Sequence, residues 1–541
     1  MEMIRQLPEV ESYVLNFLSS SIVAASPSSV SSTSNEKSIE ELKRASKIFS
    51  QMTYRGMEHR AILKLIGQCY YENGQYEKAK ETLEIVYSYL DPKKNVSEVV
   101  EVEVYYLSLA LSKLEWFNGC FEKALQYAKD AEQITHKYEE QHVNSDSNND
   151  NDEIIIKNVN VNQSISVATE MKRWNAINAI ALCRFSCNSN GAKEILDFLN
   201  PIPLLPSLPF GKLSSSSPPI IVANSRLANA MFQSNWGISK ILELKRFSLS
   251  SFNNEGEQSS SYDNENEQSS TANKTVDLQS YNNNYNSIED HVIKYWKDTI
   301  IELEQIDEKK QYDDGSSMEE WKQVKLLSDM VQGRIHCNIA MLLLKRCQHQ
   351  RKQKNIQNKN DNNDNDHNDN SNKDDYKTNL ESASYHSKVG LKLFEQITKV
   401  ITNDDPLSSI SSSSSLFESY LHSCIGYSLG LAASCHALVG SAVTAEGLFL
   451  SAIDRYHPNP NSTMNVLQYL ELKHIYSEYA VLLDDWEKRE GDAKRMRDAA
   501  LKIDSTCLPK AWVDASRNDG GDCWLSGLLF FSIGQKEKHD L

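Results

Sequence analysis

Glycine and proline are scarce in this chain, at 20 and 13 residues in a length of 541. Turn-rich all-β folds need both at short intervals, so that class is excluded as the main architecture. A basic excess is also missing. Lys and Arg total 57 against 74 Asp and Glu, for a formal net charge of −17. A general nucleic-acid surface needs the opposite balance, so nucleic acid is not an expected partner. None of the ten cysteines forms a C-x-x-C pair. Cys183 and Cys187 lie one helical turn apart, but no His or Cys pair follows at zinc-finger spacing. Cys69, Cys120, Cys424 and Cys435 sit inside apolar helical patterns. They read as small buried hydrophobes in a reducing compartment.

Catalytic signatures are lacking too. The sequence holds no Gly-rich phosphate loop, no G-x-S-x-G elbow and no H-E-x-x-H helix. His336-Cys337 and Cys435-His436 are neighbours on helical patterns, and adjacent helix positions point about 100° apart, so neither pair converges on one ion. No catalytic residue, metal or cofactor is therefore expected. The apolar stretch 14–25 lacks the positive lead-in of a signal peptide, because Glu2, Glu9 and Glu11 outweigh Arg5. Residues 419–445 contain no Asp, Glu, Lys or Arg, which is long enough for a membrane span. His422, His436 and many Ser and Gly make the stretch weakly apolar, and a buried helix pair is expected instead. The expected location is cytoplasmic, with peripheral membrane association arising through partners.

What the sequence does contain is helix grammar. Apolar residues recur at three- and four-residue spacing over 38–51, 58–73, 76–90, 96–117, 121–138, 166–187, 192–199, 220–247, 288–309, 318–346, 376–401, 416–438, 441–456, 463–486, 490–503 and 523–534. Strand patterns are confined to 154–156 and 159–161. Asn-, Asp- and Ser-rich stretches bury too little apolar surface to offset the entropy of ordering, and they read as insertions. The expected organisation is N-terminal helical repeats over 1–140, a linker over 141–165 and a helical segment over 166–247. A disordered linker over 248–286, a helical segment over 287–349, a disordered Asn/Asp-rich linker over 350–378 and C-terminal helical repeats over 379–541 follow. The basic run Lys345, Arg346, Arg351, Lys352, Lys354 and Lys359 is expected to end a helix and enter the solvated linker.

One unit carries more than periodicity. Leu63, Ile66, Gly67 and Tyr70 precede Gly74 and Tyr76, and Ala79, Leu83, Val86 and Pro92 follow. Small residues at 67 and 79 permit a close helix crossing, with Tyr70 and Leu83 filling the space beside it. Gly119, Phe121, Ala124, Ala128 and Ala131 repeat the pattern, with 45 residues from Ala79 to Ala124. Gly440, Ala445, Phe449, Ala452 and Pro458 keep the spacing again, and Leu470 through Ala500 hold a degenerate fourth pair. The pattern resembles the tetratricopeptide repeat superfamily. That resemblance implies an all-α solenoid of helical hairpins whose first helices line a concave groove.

The implied function is a protein-binding scaffold or adaptor that recruits protein partners, in the form of an extended peptide segment. On the family's geometry Lys64, Gln68 and Tyr71 of the first unit face the groove, as do Tyr106, Leu109, Lys113, Trp116 and Phe117 of the second. Aromatics that pack against a neighbouring helix are the competing explanation for Trp116 and Phe117. Chaperone-binding relatives hold a terminal carboxylate with a Lys and an Asn at the places of Lys64 and Gln68. Here Gln replaces Asn, and Ala110 stands where a second Asn is used, so that clamp is not expected. A second reading is a stable subunit of a multiprotein assembly in membrane trafficking or cargo transport, and no particular residue carries it. An integral membrane protein and an enzyme with an unrecognised site rank below both.

Overall fold

A computed structural model describes residues 57–72, 75–90, 98–145, 289–306, 318–360, 370–403, 414–456, 464–486 and 488–518, with separate helical positions between 39 and 47 and between 223 and 241. Among the described residues there is no strand, and this part of the protein is all-α. The sequence patterns at 154–156, 159–161, 166–187, 192–199 and 523–534, the linker 248–286, and Gly74, Pro92 and Pro458 lie outside the described residues. Among the described residues no helix is long and apolar enough to cross a membrane.

The helices run in chain order as α1 (Met57–Glu72), α2 (Tyr76–Tyr89), α3 (Glu98–Phe117), α4 (Phe121–Ser145) and α5 (289–304). Then come α6 (Met318–Asn360), α7 (Asn370–Asn403), α8 (Ser414–Val439), α9 (Ala442–Tyr456), α10 (Val466–Asp484), α11 (Glu490–Thr506) and α12 (Lys510–Asn518). Local chemistry explains their limits. In α2 the apolar residues Ala79, Leu83 and Val86 fall on one buried face, and Glu77 lies in the first turn where the helix dipole favours an anion. Asn465 caps α10 by accepting from the Gln468 backbone N–H, while the Gln468 side chain accepts from the Asn465 N–H. Such a reciprocal cap contributes about 1 kcal/mol. Gly119 and Gly440 turn the chain between α3 and α4 and between α8 and α9, at φ of 76° and 88° that other residues resist.

Neighbouring helices pair as hairpins that cross where side chains are small. A Cβ added at Gly67 would lie 2.7 Å from Leu83 Cδ2, so α1 and α2 cross at the position that the sequence pattern indicated. At Gly426 of α8 an added Cβ would lie 2.7 Å from Tyr456 and 2.9 Å from the Ala452 carbonyl oxygen of α9. The α6–α7 pair uses the same device without a recognisable repeat motif, because a Cβ on Gly390 would meet the Gly333 carbonyl oxygen at 3.1 Å. Among the described residues two extended hydrophobic clusters result. One is internal to the N-terminal unit and holds Ile62, Ile66, Tyr70, Leu83, Val86, Tyr105, Leu111 and Leu114. The other runs from α5 through α12, and reaches the N-terminal unit at Trp116, Phe117, Phe121 and Ala124.

Several boundaries differ from expectation. The 350–378 stretch is not wholly a linker, since α6 continues to Asn360 and α7 begins at Asn370. Gln, Lys and Arg favour helix, and side-chain links such as Gln353 to His349 at 2.7 Å support the extension along one exposed face. The basic run therefore lies inside a helix. Arg346 pairs with Glu289 at 3.0 Å and Asp290 at 2.8 Å, and Arg351 with Asp485 at 3.7 Å. Helix α4 runs to Ser145, five residues into the expected linker at 141–165. Cys120 is exposed at the α3–α4 turn and Cys69 is half-buried, whereas Cys424 and Cys435 are buried as expected. The 45-residue offset of the second unit has a plain cause. Helix α3 is 20 residues long against 16 for α1, and the connection over 90–97 adds the rest.

Candidate functional site

The residues expected to line a groove come from α1 and α3. On α3, Tyr106, Leu109, Ala110 and Lys113 recur at three- and four-residue spacing, so they share one face. Tyr106 is 42% exposed and stands edge-on to Tyr105 at 5.1 Å. Leu109, Ala110 and Lys113 are half-buried, as are Lys64 and Tyr71 of α1. The Gln68 side chain lies outside the described residues.

Lys113 is the most unusual of these groups. Its Nζ lies 5.1 Å from the centre of the Tyr71 ring and 5.9 Å from that of Phe117. Among the described residues no carboxylate is within ion-pair distance of it. Desolvation alone pushes its ammonium down to about 8. The aromatic faces return part of that lost hydration through cation–π attraction. Tyr71 in turn stands edge-on to Tyr76 at 5.5 Å, and Tyr76 lies 5.5 Å from Phe117. Lys113 thus sits at the edge of an aromatic cluster whose inner members are tightly packed.

Trp116 requires a correction. It is fully buried and lines no open groove. Trp116 stands three residues beyond Lys113, at the edge of the same face, and packing against α12 buries it. There it meets Trp512 of α12 edge-on at 4.6 Å. Phe117 is also buried, at 3% exposure, beneath Lys113.

A second polar cluster was not anticipated. Arg334 of α6 donates to Glu471 of α10 at 2.6 Å and to the Tyr420 hydroxyl of α8 at 3.0 Å. The Tyr456 hydroxyl of α9 donates to the other Glu471 oxygen at 2.9 Å. Arg334 and Glu471 are both buried, and the Arg334 guanidinium stacks over Tyr420 at 5.0 Å. One ion pair thereby ties four helices together. Beside it His336 and His386 share a hydrogen bond at 2.7 Å between their Nδ1 atoms, and burial lowers them to about 4 and about 3. Both rings are neutral at physiological pH, one donating and the other accepting. The only local signal was a charge inside an otherwise apolar helical run, Arg334 beside Ile335 and Glu471 between Leu470 and Leu472.

Among the described residues no group of three or more His, Cys, Asp or Glu is placed to hold a metal ion. The α1–α3 face carries the exposed Tyr106 and the half-buried Lys64, Tyr71 and Lys113, and the Arg334 and His336 clusters are buried. No known family model matches the chain, and a search of curated proteins finds no match.

Proposed function

We propose that this chain is a tetratricopeptide-like scaffold that binds an extended segment of a partner protein across the α1–α3 face. The observation that carries the proposal is Lys113. Lys113 is a half-buried cation over the Tyr71 and Phe117 rings with no carboxylate among the described residues. Such a group gains its counter-charge from a ligand, and the Tyr106, Leu109 and Ala110 stripe beside it offers apolar contact along the same helix. Support for the repeat type comes from the Gly67–Leu83 crossing, the analogous crossing at Gly426 and the positive-φ glycines Gly119 and Gly440 at the α3–α4 and α8–α9 turns. The cytoplasmic location and the adaptor role belong to the same reading.

The test is affinity capture from cell extract with the wild type and with Lys113→Met/Tyr106→Ala, at low and high salt. Both proteins are first shown to melt as folded chains. Partners lost by the variant, and released from the wild type by salt, support the reading. Full retention of every partner by the variant moves the binding surface to the C-terminal hairpins from α8 onward.

A further inference from the structure

The α3 stripe that leads to Lys113 has a length as well as a chemistry. Tyr106 and Lys113 stand seven residues apart. Seven residues are close to two full helical turns, so the two positions share one side at a separation of about 10.5 Å. Tyr106, at one end, is 42% exposed and edge-on to Tyr105. The half-buried Leu109 and Ala110 form an apolar floor between the ends, and no acidic residue interrupts 106–113. At the other end the Lys113 ammonium lies over the Tyr71 and Phe117 rings. Lys64 adds a second cation to the face, seven residues before Tyr71 on α1.

That separation discriminates between ligand conformations. In an extended strand, side chains return to the same side every second residue, at about 6.6 or 13 Å. Neither interval matches. A polyproline II helix repeats every three residues with a rise of about 3.1 Å, so residues i and i+3 lie on one side about 9.3 Å apart. The flexible lysine stem absorbs the small remainder. A partner α-helix also matches at i and i+7, but such a helix buries a wide apolar stripe. The floor here offers only Leu109 and Ala110, both already packed against their own core. Aromatic-lined faces suit polyproline II, whose backbone is ordered before binding.

We propose that the α1–α3 face recognises a polyproline II segment in which an acidic residue and an aromatic or aliphatic residue stand three positions apart. The carboxylate pairs with Lys113, the apolar side chain packs on Tyr106, and the residues between them cross Leu109 and Ala110. This ligand class rests on the partner-binding role proposed above, and adds to it a conformation and a spacing. Lys113 selects the charge, and Tyr106 selects the apolar residue.

The test displays three peptide libraries on phage and selects each against the full chain. Two variable positions are separated by two prolines, by one proline or by six alanines. These place them three apart in polyproline II, two apart, or on one face of an α-helix. The two-proline library is expected to enrich an acidic residue paired with an aromatic or aliphatic one, by about tenfold or more over the other two. Lys113→Met should remove the acidic preference and Tyr106→Ala the apolar one, in variants that circular dichroism shows to be folded. About 1 M salt should remove the acidic preference from the wild type too, which reads the charge without a variant. Enrichment in another library, with the same dependence on Lys113, would overturn the spacing and leave the binding face standing. Selected peptides indifferent to both substitutions and to salt would put binding off this face and overturn both readings. If no library enriches, the polyproline II ligand is wrong, and affinity capture decides the broader role by itself.

Discussion

Replacing Lys113 with methionine should stabilise the protein while weakening partner capture. Lowering the ammonium from 10.5 to about 8 corresponds to about 3 kcal/mol against the charged form at neutral pH, and the side chain's remaining solvent contact reduces this to about 2 kcal/mol. Methionine keeps a straight apolar stem of similar length and loses the cation–π attraction to Tyr71 and Phe117, worth about 0.5–1 kcal/mol. The net gain is about 1 kcal/mol. The sign follows from linkage. A lysine lowered in the folded state binds its proton more weakly there than in the unfolded chain, so stability rises with pH between the two values. The variant's advantage should therefore be complete below about pH 8 and fade as pH approaches 10.5. Urea unfolding at pH 7 and pH 10, read on the amides of α1–α3 by hydrogen exchange, measures both. A variant less stable than wild type at pH 7 would show that Lys113 is a satisfied structural residue, and the binding argument would lose its basis.

Further perturbations follow from the packing. Gly67→Leu forces atoms into the 2.7 Å approach to Leu83 and should cost about 1–3 kcal/mol. Glu77→Ala removes only exposed contacts to Lys80 at 2.5 Å and Asn118 at 2.8 Å, worth under about 1 kcal/mol, and equal losses in urea melts would contradict the crossing. Arg334→Met should cost about 3–5 kcal/mol by stranding Glu471, and adding Glu471→Leu should recover much of it. A double variant as unstable as the single one would mean that the tyrosine hydroxyls, not the ion pair, hold the four helices.

The legible part of the fold is the local part. Helix α10 spans 466–484 inside the pattern read over 463–486, because its cap and periodicity are both written within a few residues. The Gly67, Ala79 and Leu83 crossing was equally readable, since small residues at a fixed spacing encode one close approach in neighbouring sequence. Helix α12 was missed. Nine residues give too few turns for periodicity to stand out, and its partner Trp116 lies 396 residues away. The Arg334–Glu471 pair spans 137 residues and has no pattern of its own. On α3, Tyr106 is exposed and Lys113 half-buried. Trp116 lay at the boundary between two faces, and only the arrival of α12 decides which one it joins.

The Trp116–Trp512 contact also sets a timetable for synthesis. The α1–α4 unit leaves the ribosome first, and its core can close as soon as α4 is complete. The surface of Trp116 and Phe121 that Trp512 will cover must then wait for almost 400 further residues. At about 5–20 residues per second that delay is about 20–80 s. Throughout it a dry aromatic patch faces the crowded space around the nascent chain. A newly made chain is thus most open to capture by chaperones, or by a neighbouring chain on the same message, before α12 is made.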